Sequence, residues 1–215
     1  MGFLHADRGR VIVAHEDITD YTEAEMNRIR RKVTMVFQSG ALFDSLTVAE
    51  NILFSLETRE DYDAQNKEDV VDGLLKMVDI SDTRDAYPND LSTGYRRAVA
   101  IARALAAQPQ CVLYDEPTTM VDPIMSDRLT TLMLRLKKQL NLTSVVVTHD
   151  LDLLHRVADQ VVFLSKGRVA FFGPPNELYA SEDPDIHEFL ELDKVIRGKH
   201  SKDSPVRTGL GGAEV

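Results

Sequence analysis

The chain has 215 residues, 43% of them hydrophobic, which is enough to bury a substantial core as one domain with a small subdomain. Its formal net charge of −10 argues against nucleic acid or an anionic bilayer as the main partner. Because no apolar run approaches the roughly 20 residues that span a bilayer, and the N-terminus has no signal pattern, we expect a cytoplasmic protein, soluble or peripheral to the membrane.

Short β-branched runs alternate with segments of helical spacing, a pattern that predicts an α/β domain. The predicted elements are, in chain order, a strand at Val11–Val13, a helix after the capping box Thr22–Glu25, a strand at Val33–Phe37, a helix after the capping box Thr47–Glu50, helices at Asn66–Val78 and from Leu91, a strand at Cys111–Tyr114, a helix at Ser126–Leu140, and strands at Ser144–Thr148 and Val161–Leu164. Several strands are apolar throughout, which predicts cover on both faces.

The predicted domain spans residues 1–193, with a helical subdomain at about 51–106. Residues 194–215 are rich in Lys, Ser, Gly and Pro without periodicity, so we expect a disordered tail. The single cysteine, Cys111, lies in an apolar run and is interpreted as a small buried hydrophobic residue in a reducing compartment.

Two acids, Asp115 and Glu116, follow the predicted strand Cys111–Tyr114 directly. Ligands of open α/β sheets bind at the carboxyl ends of strands, so both carboxylates face the expected ligand edge. There Asp115 can hold Mg²⁺, usually through water, and Glu116 can take a proton from an attacking water. An acidic turn after a buried strand is the plainer interpretation, and it would be preferred if the pair stood alone.

Three other segments carry groups suited to the same site. Ser92 and Gly94 open the helix that begins near Leu91, where a hydroxyl, free amides and the positive helix end can bind an anion. His149 follows a strand and can contact a phosphate or a water, and Gln38 follows Val33–Phe37 and can reach a metal or water. A simple N-cap, a structural histidine and a surface glutamine are the respective alternatives.

These elements, in this order, make the sequence resemble the ATP-binding subunits of ABC transporters. V-F-Q-S-G matches their Q-loop, L-S-T-G-Y their signature motif, V-L-Y-D-E-P their Walker B motif, M-V-D-P their D-loop and T-H-D their switch histidine, and the resemblance covers about Gly2 to Leu192. It implies a P-loop NTPase-like α/β sheet with helices on both faces and a helical subdomain, ATP and Mg²⁺ as ligands, and in-line attack of water on the γ-phosphate.

The resemblance also implies the role of each site residue. Glu116 and His149 would be catalytic, and Gln38 and Asp115 would bind nucleotide and metal. Two cassettes would close face to face, so that the signature residues Ser92, Thr93 and Gly94 contact a nucleotide held by the partner and Asp122 lies at the dimer seam. The implied partners are a second cassette and a membrane permease on the cytoplasmic face of the inner membrane, with Phe43–Phe54 as the permease contact.

One essential motif is absent from the sequence. None of the eleven glycines is followed by Lys-Ser or Lys-Thr, so there is no G-x-x-x-x-G-K-[ST] loop to hold the β and γ phosphates. Residues Gly2–Val11 resemble the stretch that follows this loop and its helix in the family, which points to a misplaced start codon or a truncated gene, with a truly shortened subunit as the alternative. Thr93 and Met120 also stand where the family usually has glycine.

Two longer motifs resemble one subgroup of ABC transporter ATPases, and other functions remain as alternatives. F-Q-S-G-A-L-F-D-S-L-T-V-A-E-N and D-E-P-T-T-x-x-D-P-I look like the ATPases of bacterial Mla and Mce-type phospholipid transport, which implies a lipid-binding Mce-type protein in the complex. The main alternative is a non-catalytic truncated cassette that lends its signature face to a partner or docks to a permease. A DNA-repair or translation-factor cassette is a third possibility, but it would call for a long coiled coil or a second cassette.

Overall fold

The computed structural model describes residues 1–57, 59 and 65–192. They belong to two compact units, Met1–Val157 and the part of the chain from Ala158 onward. The first unit contains β1 (Ile12–Val13), β2 (Glu16–Asp17), α1 (Glu23–Lys32), β3 (Val33–Val36), α2 (Val48–Leu56), α3 (Lys67–Met77), α4 (Thr93–Ala106), β4 (Cys111–Asp115), α5 (Pro123–Leu140), β5 (Thr143–Val147) and α6 (Leu151–Val157). The predicted disordered tail, 194–215, lies outside the described residues.

Both predicted capping boxes are confirmed. The Thr22 hydroxyl accepts from the Glu25 amide while the Glu25 carboxylate accepts from the Thr22 amide, and Thr47 and Glu50 make the same pair of contacts at the start of α2. Each box satisfies two of the amide groups that a helix leaves free at its N-terminus, which fixes where α1 and α2 begin.

Three parallel strands form the central sheet of the first unit, in the order β3-β4-β5. Val36 pairs with Tyr114, and Asp115 pairs with Val147, so the three strands end at the same edge. Tyr114 is buried at the centre of the sheet, and burial raises the pKa of its hydroxyl.

The expectation that apolar strands are covered on both faces is wrong for β5. Val145 is 50% exposed and Val147 is 61% exposed. Within the described part of the chain β5 pairs only with β4, so one edge of β5 and the face that carries these valines lack a neighbour.

Helices α2, α3 and α4 pack together beside the sheet and supply much of the hydrophobic core. Helix α4 is the most buried, with Val99 and Ala102 inaccessible to solvent, and it also contacts β3 and α5. Helix α5 begins at Pro123, three residues before the predicted start, because Asp122 caps it and proline is well tolerated in a first helical turn. Its leucine and methionine stripe, Leu129, Leu132, Met133 and Leu136, is buried as predicted.

Cys111 is only partly buried, although burial does raise the pKa of its thiol. It packs beside a second, smaller core formed by Ile18, Met26, Ile29 and Val33. The interpretation of Cys111 as a small buried hydrophobic residue therefore holds only in part, because the first residue of β4 lies at the border of this small core.

The second unit is built on an antiparallel hairpin of β6 (Val161–Ser165) and β7 (Arg168–Gly173). It continues with α7 (Pro175–Tyr179) and a helical stretch at residues 184–192. Asp185 accepts hydrogen bonds from Ser165 and Lys166, and the rings of Phe163 and Phe189 pack edge to face, so both groups of contacts fasten that stretch to β6 and the hairpin turn. None of the described helices is both long and apolar enough to cross a membrane.

Candidate active site

The sheet brings four of the predicted site residues to one edge. Asp115 is the last residue of β4 and Glu116 follows it, while Gln38 and His149 each lie two residues beyond the end of β3 and β5 respectively. Since these strands are parallel neighbours in register, their carboxyl ends meet at this edge. The prediction that these residues follow strands whose carboxyl ends share one edge is confirmed. Their roles in binding and catalysis stay predictions.

Glu116 is held by its backbone and by both carboxylate oxygens. Its amide donates to the Val147 carbonyl at 2.9 Å, and its backbone is left-handed, with φ of 45°. Oε1 lies 3.0 Å from His149 Nδ1, and Oε2 accepts from the Thr119 hydroxyl at 2.9 Å. A left-handed non-glycine residue costs about 1 kcal/mol or more, so this orientation of Glu116 is maintained by its surroundings.

The side chains of Glu116 and His149 differ in their exposure to solvent. The Glu116 side chain is 20% exposed, whereas the His149 side chain is 67% exposed. Because an ionised carboxylate only accepts hydrogen bonds, a hydrogen bond within this pair requires a proton on Nδ1, and the Nε2 side of the ring is left to meet a ligand. The arrangement offers a partly desolvated base beside an orientable donor and acceptor.

Three supporting residues were missed by the sequence interpretation. Thr119 binds Glu116, and the buried Thr118 donates to Asp150 Oδ2 at 3.0 Å. Asp150 also accepts from the amides of Asp152 and Leu153 through Oδ1, at the start of α6. An aspartate just before the helical pattern Leu151–Val157 was a detectable capping signal, but the hydroxyl contacts depend on tertiary structure.

The signature residues lie at the start of α4. Ser92 caps the helix, and its hydroxyl accepts from the Tyr95 amide at 3.5 Å. Thr93 is partly buried, and its hydroxyl accepts from Arg96 at 3.3 Å. The plain N-cap role that was left open for Ser92 is thus observed, and ligand binding by Ser92, Thr93 and Gly94 stays a prediction.

Helix α5 packs its first turn against the signature segment. A Cβ on Gly94 would lie 2.8 Å from the Met125 Cε, so glycine lets the two helices meet closely here, and a larger residue would displace the end of the Met125 side chain. Asp122 caps α5 by accepting from the Met125 amide at 3.0 Å. Met125 therefore links the predicted seam residue Asp122 to the signature residue Gly94.

The residues predicted to hold magnesium fit that ion only in part. Asp115 and Gln38 offer oxygen ligands at one sheet edge, which suits Mg²⁺. Among the described residues there is no cluster of three or more His, Cys, Asp or Glu side chains that could hold a metal. Since protein-bound Mg²⁺ usually keeps waters and takes phosphate oxygens, two protein ligands match a metal bound together with a nucleotide.

Comparison with known proteins settles the family. The family model described as ABC transporter matches residues 1–119, more than half of the chain. The chain belongs to the ABC transporter family. This membership fits the fold, because the parallel sheet and helices match the solved cassette structure described next.

Two curated relatives and one solved structure illustrate the similarity. The chain is 35% identical over 201 residues to the sulfate/thiosulfate import ATP-binding protein CysA of Mannheimia succiniciproducens, covering 92% of this chain and 55% of the relative. It is 38% identical over 172 residues to the methionine import ATP-binding protein MetN of Photobacterium profundum, covering 80% and 50%. The chain thus spans about half the length of these curated relatives.

The solved structure is the dimeric ATP-binding cassette MJ0796 in a post-hydrolysis state bound to ADP and phosphate. The two folds agree with a TM-score of 0.71 at 30% sequence identity, over 80% of this chain and 75% of that chain. The α/β ABC ATPase fold expected from the motifs is confirmed by this likeness.

Proposed function

We propose that this chain is the hydrolytic part of the ATP-binding subunit of an ABC transporter. The observation that carries the proposal is the hydrogen-bonded pair of Glu116 and His149 next to Asp115, at the carboxyl edge of a parallel sheet. A fixed carboxylate, a histidine and a second carboxylate are the groups needed to orient a water and a phosphate at such an edge.

Glu116 acts as the general base in this proposal. Its contacts with Thr119 and His149 orient the carboxylate, so that it accepts a proton from the water that attacks the γ-phosphate. His149 keeps Nδ1 on Glu116 and directs Nε2 to an oxygen of the γ-phosphate. Positioning and charge stabilisation account for most of the catalysis in phosphoryl transfer, and both roles are of that kind.

Asp115 and Gln38 are the proposed magnesium ligands. Members of this family use ATP with Mg²⁺, and the ion would neutralise charge on the phosphate oxygens when bound. Asp115 ends the central strand β4, where a carboxylate is well placed to hold the ion through water, while Gln38 contributes a neutral amide oxygen from the turn after β3.

Ser92, Thr93, Gly94 and Asp122 are proposed to act across a dimer of cassettes. The N-terminus of α4 offers a hydroxyl and backbone amides to an anion, and the Met125 contact holds the start of α5 next to Gly94. The dimeric state of MJ0796 supports a second copy of the cassette as the partner.

The phosphate-binding loop is proposed to come from residues outside these 215, since the sequence has no G-x-x-x-x-G-K-[ST]. Two exposed apolar surfaces support a missing strand. On the first unit, β5 presents Val145 and Val147 beside an edge that pairs with no strand among the described residues. On the second unit, the β6–β7 hairpin exposes four large side chains, Val162, Leu164, Val169 and Phe172. Clusters of exposed apolar side chains on strand faces are normally covered by another part of the protein or by a partner.

A non-catalytic cassette is the second candidate, and the absent phosphate loop is the observation that favours it. Such a chain would offer its α4 N-terminus to the nucleotide of a complete partner. The two candidates differ in one property: only the first requires that the gene encode a phosphate loop.

The surface around Phe43 and Phe54 is the proposed permease contact. The two rings pack edge to face at 4.8 Å, yet Phe43 remains 43% exposed and Phe54 remains 52% exposed. Val48, between them in sequence, is fully buried and belongs to the core. An exposed aromatic pair formed by α2 and the loop before it fits a helix from a membrane subunit, which would make the assembly peripheral to the inner membrane.

Two classes of transported substrate are proposed, phospholipids and small polar solutes. The phospholipid assignment and the Mce-type lipid-binding partner rest only on the motif resemblance, and the comparisons do not support them. The two relatives described above are named for sulfate or thiosulfate import and for methionine import. Phospholipid transport therefore stays a prediction to be tested against import of small polar solutes.

The direct test is phosphate release from ATP by the complete subunit, meaning this chain together with the in-frame residues encoded upstream. The proposal predicts Mg²⁺-dependent release. It also predicts that the 215-residue chain binds a fluorescent ATP analogue weakly, because Ser92 only completes a site that a partner begins. Tight stoichiometric binding by the isolated chain would contradict the inferred dependence on an external phosphate loop.

A further inference from the structure

The segment that carries Gln38 is a sharply folded turn, Phe37–Ala41, called the Gln38 turn below. The Gly40 amide donates to the Phe37 carbonyl at 2.9 Å, and Gly40 and Ala41 both have left-handed backbones, with φ of 82° and 47°. Ala41 adopts this conformation against its intrinsic preference, at a cost of about 1 kcal/mol. The turn therefore depends on external contacts.

Those contacts come from two arginines of one helix, α4. Arg97 Nη1 donates to the Phe37 carbonyl at 3.2 Å. Arg103 donates through Nη1 to the Ala41 carbonyl at 2.7 Å and through Nη2 to the Gly40 carbonyl at 3.1 Å. Two guanidinium groups thus hold three of the five carbonyls of the Gln38 turn.

These contacts are made with buried charge. Arg97 is 3% exposed and Arg103 is partly buried, and burial lowers the pKa of both groups. Neither forms an ion pair with any residue in the described ranges, and Arg97 Nε is buried without a hydrogen-bond partner. Apolar side chains could fill the same volume at lower cost, so the distinctive contribution of the arginines is their hold on the carbonyls.

The far side of the segment is fixed as well. Asn51 of α2 is fully buried, and its side chain bonds both the amide and the carbonyl of Phe43 and the carbonyls of Leu46 and Thr47. The Gln38 side chain, in contrast, is exposed and forms no hydrogen bond within the described part of the chain. Its position is therefore set by the backbone of the turn.

We propose that Arg97 and Arg103 are positioning residues that fix Gln38 to the helix whose first turn carries Ser92 and Gly94. The inference rests on the proposed ATPase function. Because the arginines extend from α4, a displacement of the signature end of α4 carries the Gln38 turn with it. The position of Gln38 then depends on two nucleotides: the one that this chain holds beside Asp115, and the one that the partner cassette holds against Ser92.

A double-mutant cycle in the complete subunit tests this. The variants are Arg103→Met, Gln38→Ala and their combination, and the measured quantities are kcat and the Mg²⁺ concentration that gives half-maximal ATPase rate. If Arg103 acts through Gln38, each single change lowers kcat about tenfold and the double change also about tenfold, with the same shift in Mg²⁺ dependence. If Arg103 has only a structural role, the losses in kcat from Arg103→Met and Gln38→Ala multiply in the double variant.

Two further variants keep the result decisive. Arg135→Met is the matched control, because Arg135 donates to the Met77 carbonyl at 2.6 Å from α5, away from the Gln38 turn, and its effect should add to that of Gln38→Ala. If Arg103→Met does not fold, Arg103→Lys replaces it, since one ammonium group bridges two carbonyls poorly. A loss in kcat of about a hundredfold in the Arg103→Met, Gln38→Ala double variant would overturn the inference, and so would full activity of Gln38→Ala. Neither result would overturn the proposed function. An inactive parent subunit overturns the proposed function and the inference together.

Discussion

The imidazole Nδ1 of His149 lies 3.0 Å from the Oε1 atom of Glu116, across the ends of two adjacent parallel strands. Neither residue belongs to a strand, yet each is placed by one: Glu116 follows β4 directly, and its amide is bonded to the last residue of β5. The register of β4 against β5 therefore places Glu116 and His149 next to each other. Thr119 adds the second contact on the carboxylate.

Removing the Thr119 contact should weaken catalysis more than binding. In the complete subunit, Thr119→Val is expected to lower kcat about tenfold with little change in KM for ATP, because a hydrogen bond to a charged group is worth about 1.5–3 kcal/mol. Steady-state phosphate release measures both constants. Thr131→Val is the control, since the Thr131 hydroxyl binds Arg156 on the surface of α5 and its loss should change kcat less than about twofold. Equal effects of the two variants would show that Thr119 does not orient Glu116.

Met120 stores backbone strain that can be relieved. It is exposed and left-handed, with φ of 60°, at a position where the family usually has glycine. Met120→Gly should raise the Tm of the 215-residue chain by about 1–3 °C, because the relief of strain exceeds the added freedom of the unfolded chain. Thermal unfolding followed by circular dichroism checks this. Met120→Ala keeps the Cβ and should give no increase; an equal increase for both would remove the strain explanation.

The exposed face of β5 should behave oppositely in the isolated chain and in the complete subunit. Val145→Lys is expected to raise the solubility of the 215-residue chain, because it places a charge on an exposed apolar strand face. In the complete subunit the same change should lower the free energy of unfolding by about 2 kcal/mol or more, because upstream residues that cover this face of β5 would bury the lysine. Solubility limits and urea unfolding measure the two effects. A variant that leaves the complete subunit unchanged in stability would refute the proposal that upstream residues cover this face.

The aromatic pair should be needed for assembly and dispensable for folding. Phe54→Asp is expected to leave the complete subunit folded and able to bind ATP, since Phe54 is largely exposed, but to prevent co-purification with its permease. Leu140→Asp, at another exposed apolar position, is the control and should co-purify normally. A folded Phe54→Asp subunit that still co-purifies would place the permease contact elsewhere.

The local parts of the fold were predictable from sequence. Capping boxes at Thr22 and Thr47 locate α1 and α2 because the signal and the structure involve the same few residues. The motif residues at strand ends were predictable for a similar reason: strand alternation places Gln38, Asp115 and His149 at one sheet edge. The local strand patterns are sufficient here because parallel pairing of the strands brings residues distant in sequence close together.

The missed features depend on partners distant in sequence or on weak local signals. Strand β7 was missed although Lys166 and Gly167, both left-handed, form a two-residue hairpin loop between Ser165 and Arg168. The exposure of Val145 was missed because three consecutive valines look the same whether or not a neighbouring strand is present. The hold of Arg103 on Gly40 joins residues more than sixty positions apart, and no periodicity encodes it.

The central claim is that Glu116 is the base of an ATPase, and the most direct measurement compares binding and hydrolysis in a Glu116→Gln variant of the complete subunit. The amide keeps the shape of the side chain but cannot accept the proton, so hydrolysis should fall about a thousandfold while a fluorescent ATP analogue binds with unchanged affinity. Asp20→Asn removes an exposed acid from the turn before α1 and should leave both quantities unchanged. Wild-type rates of phosphate release from the Glu116→Gln variant would contradict the account.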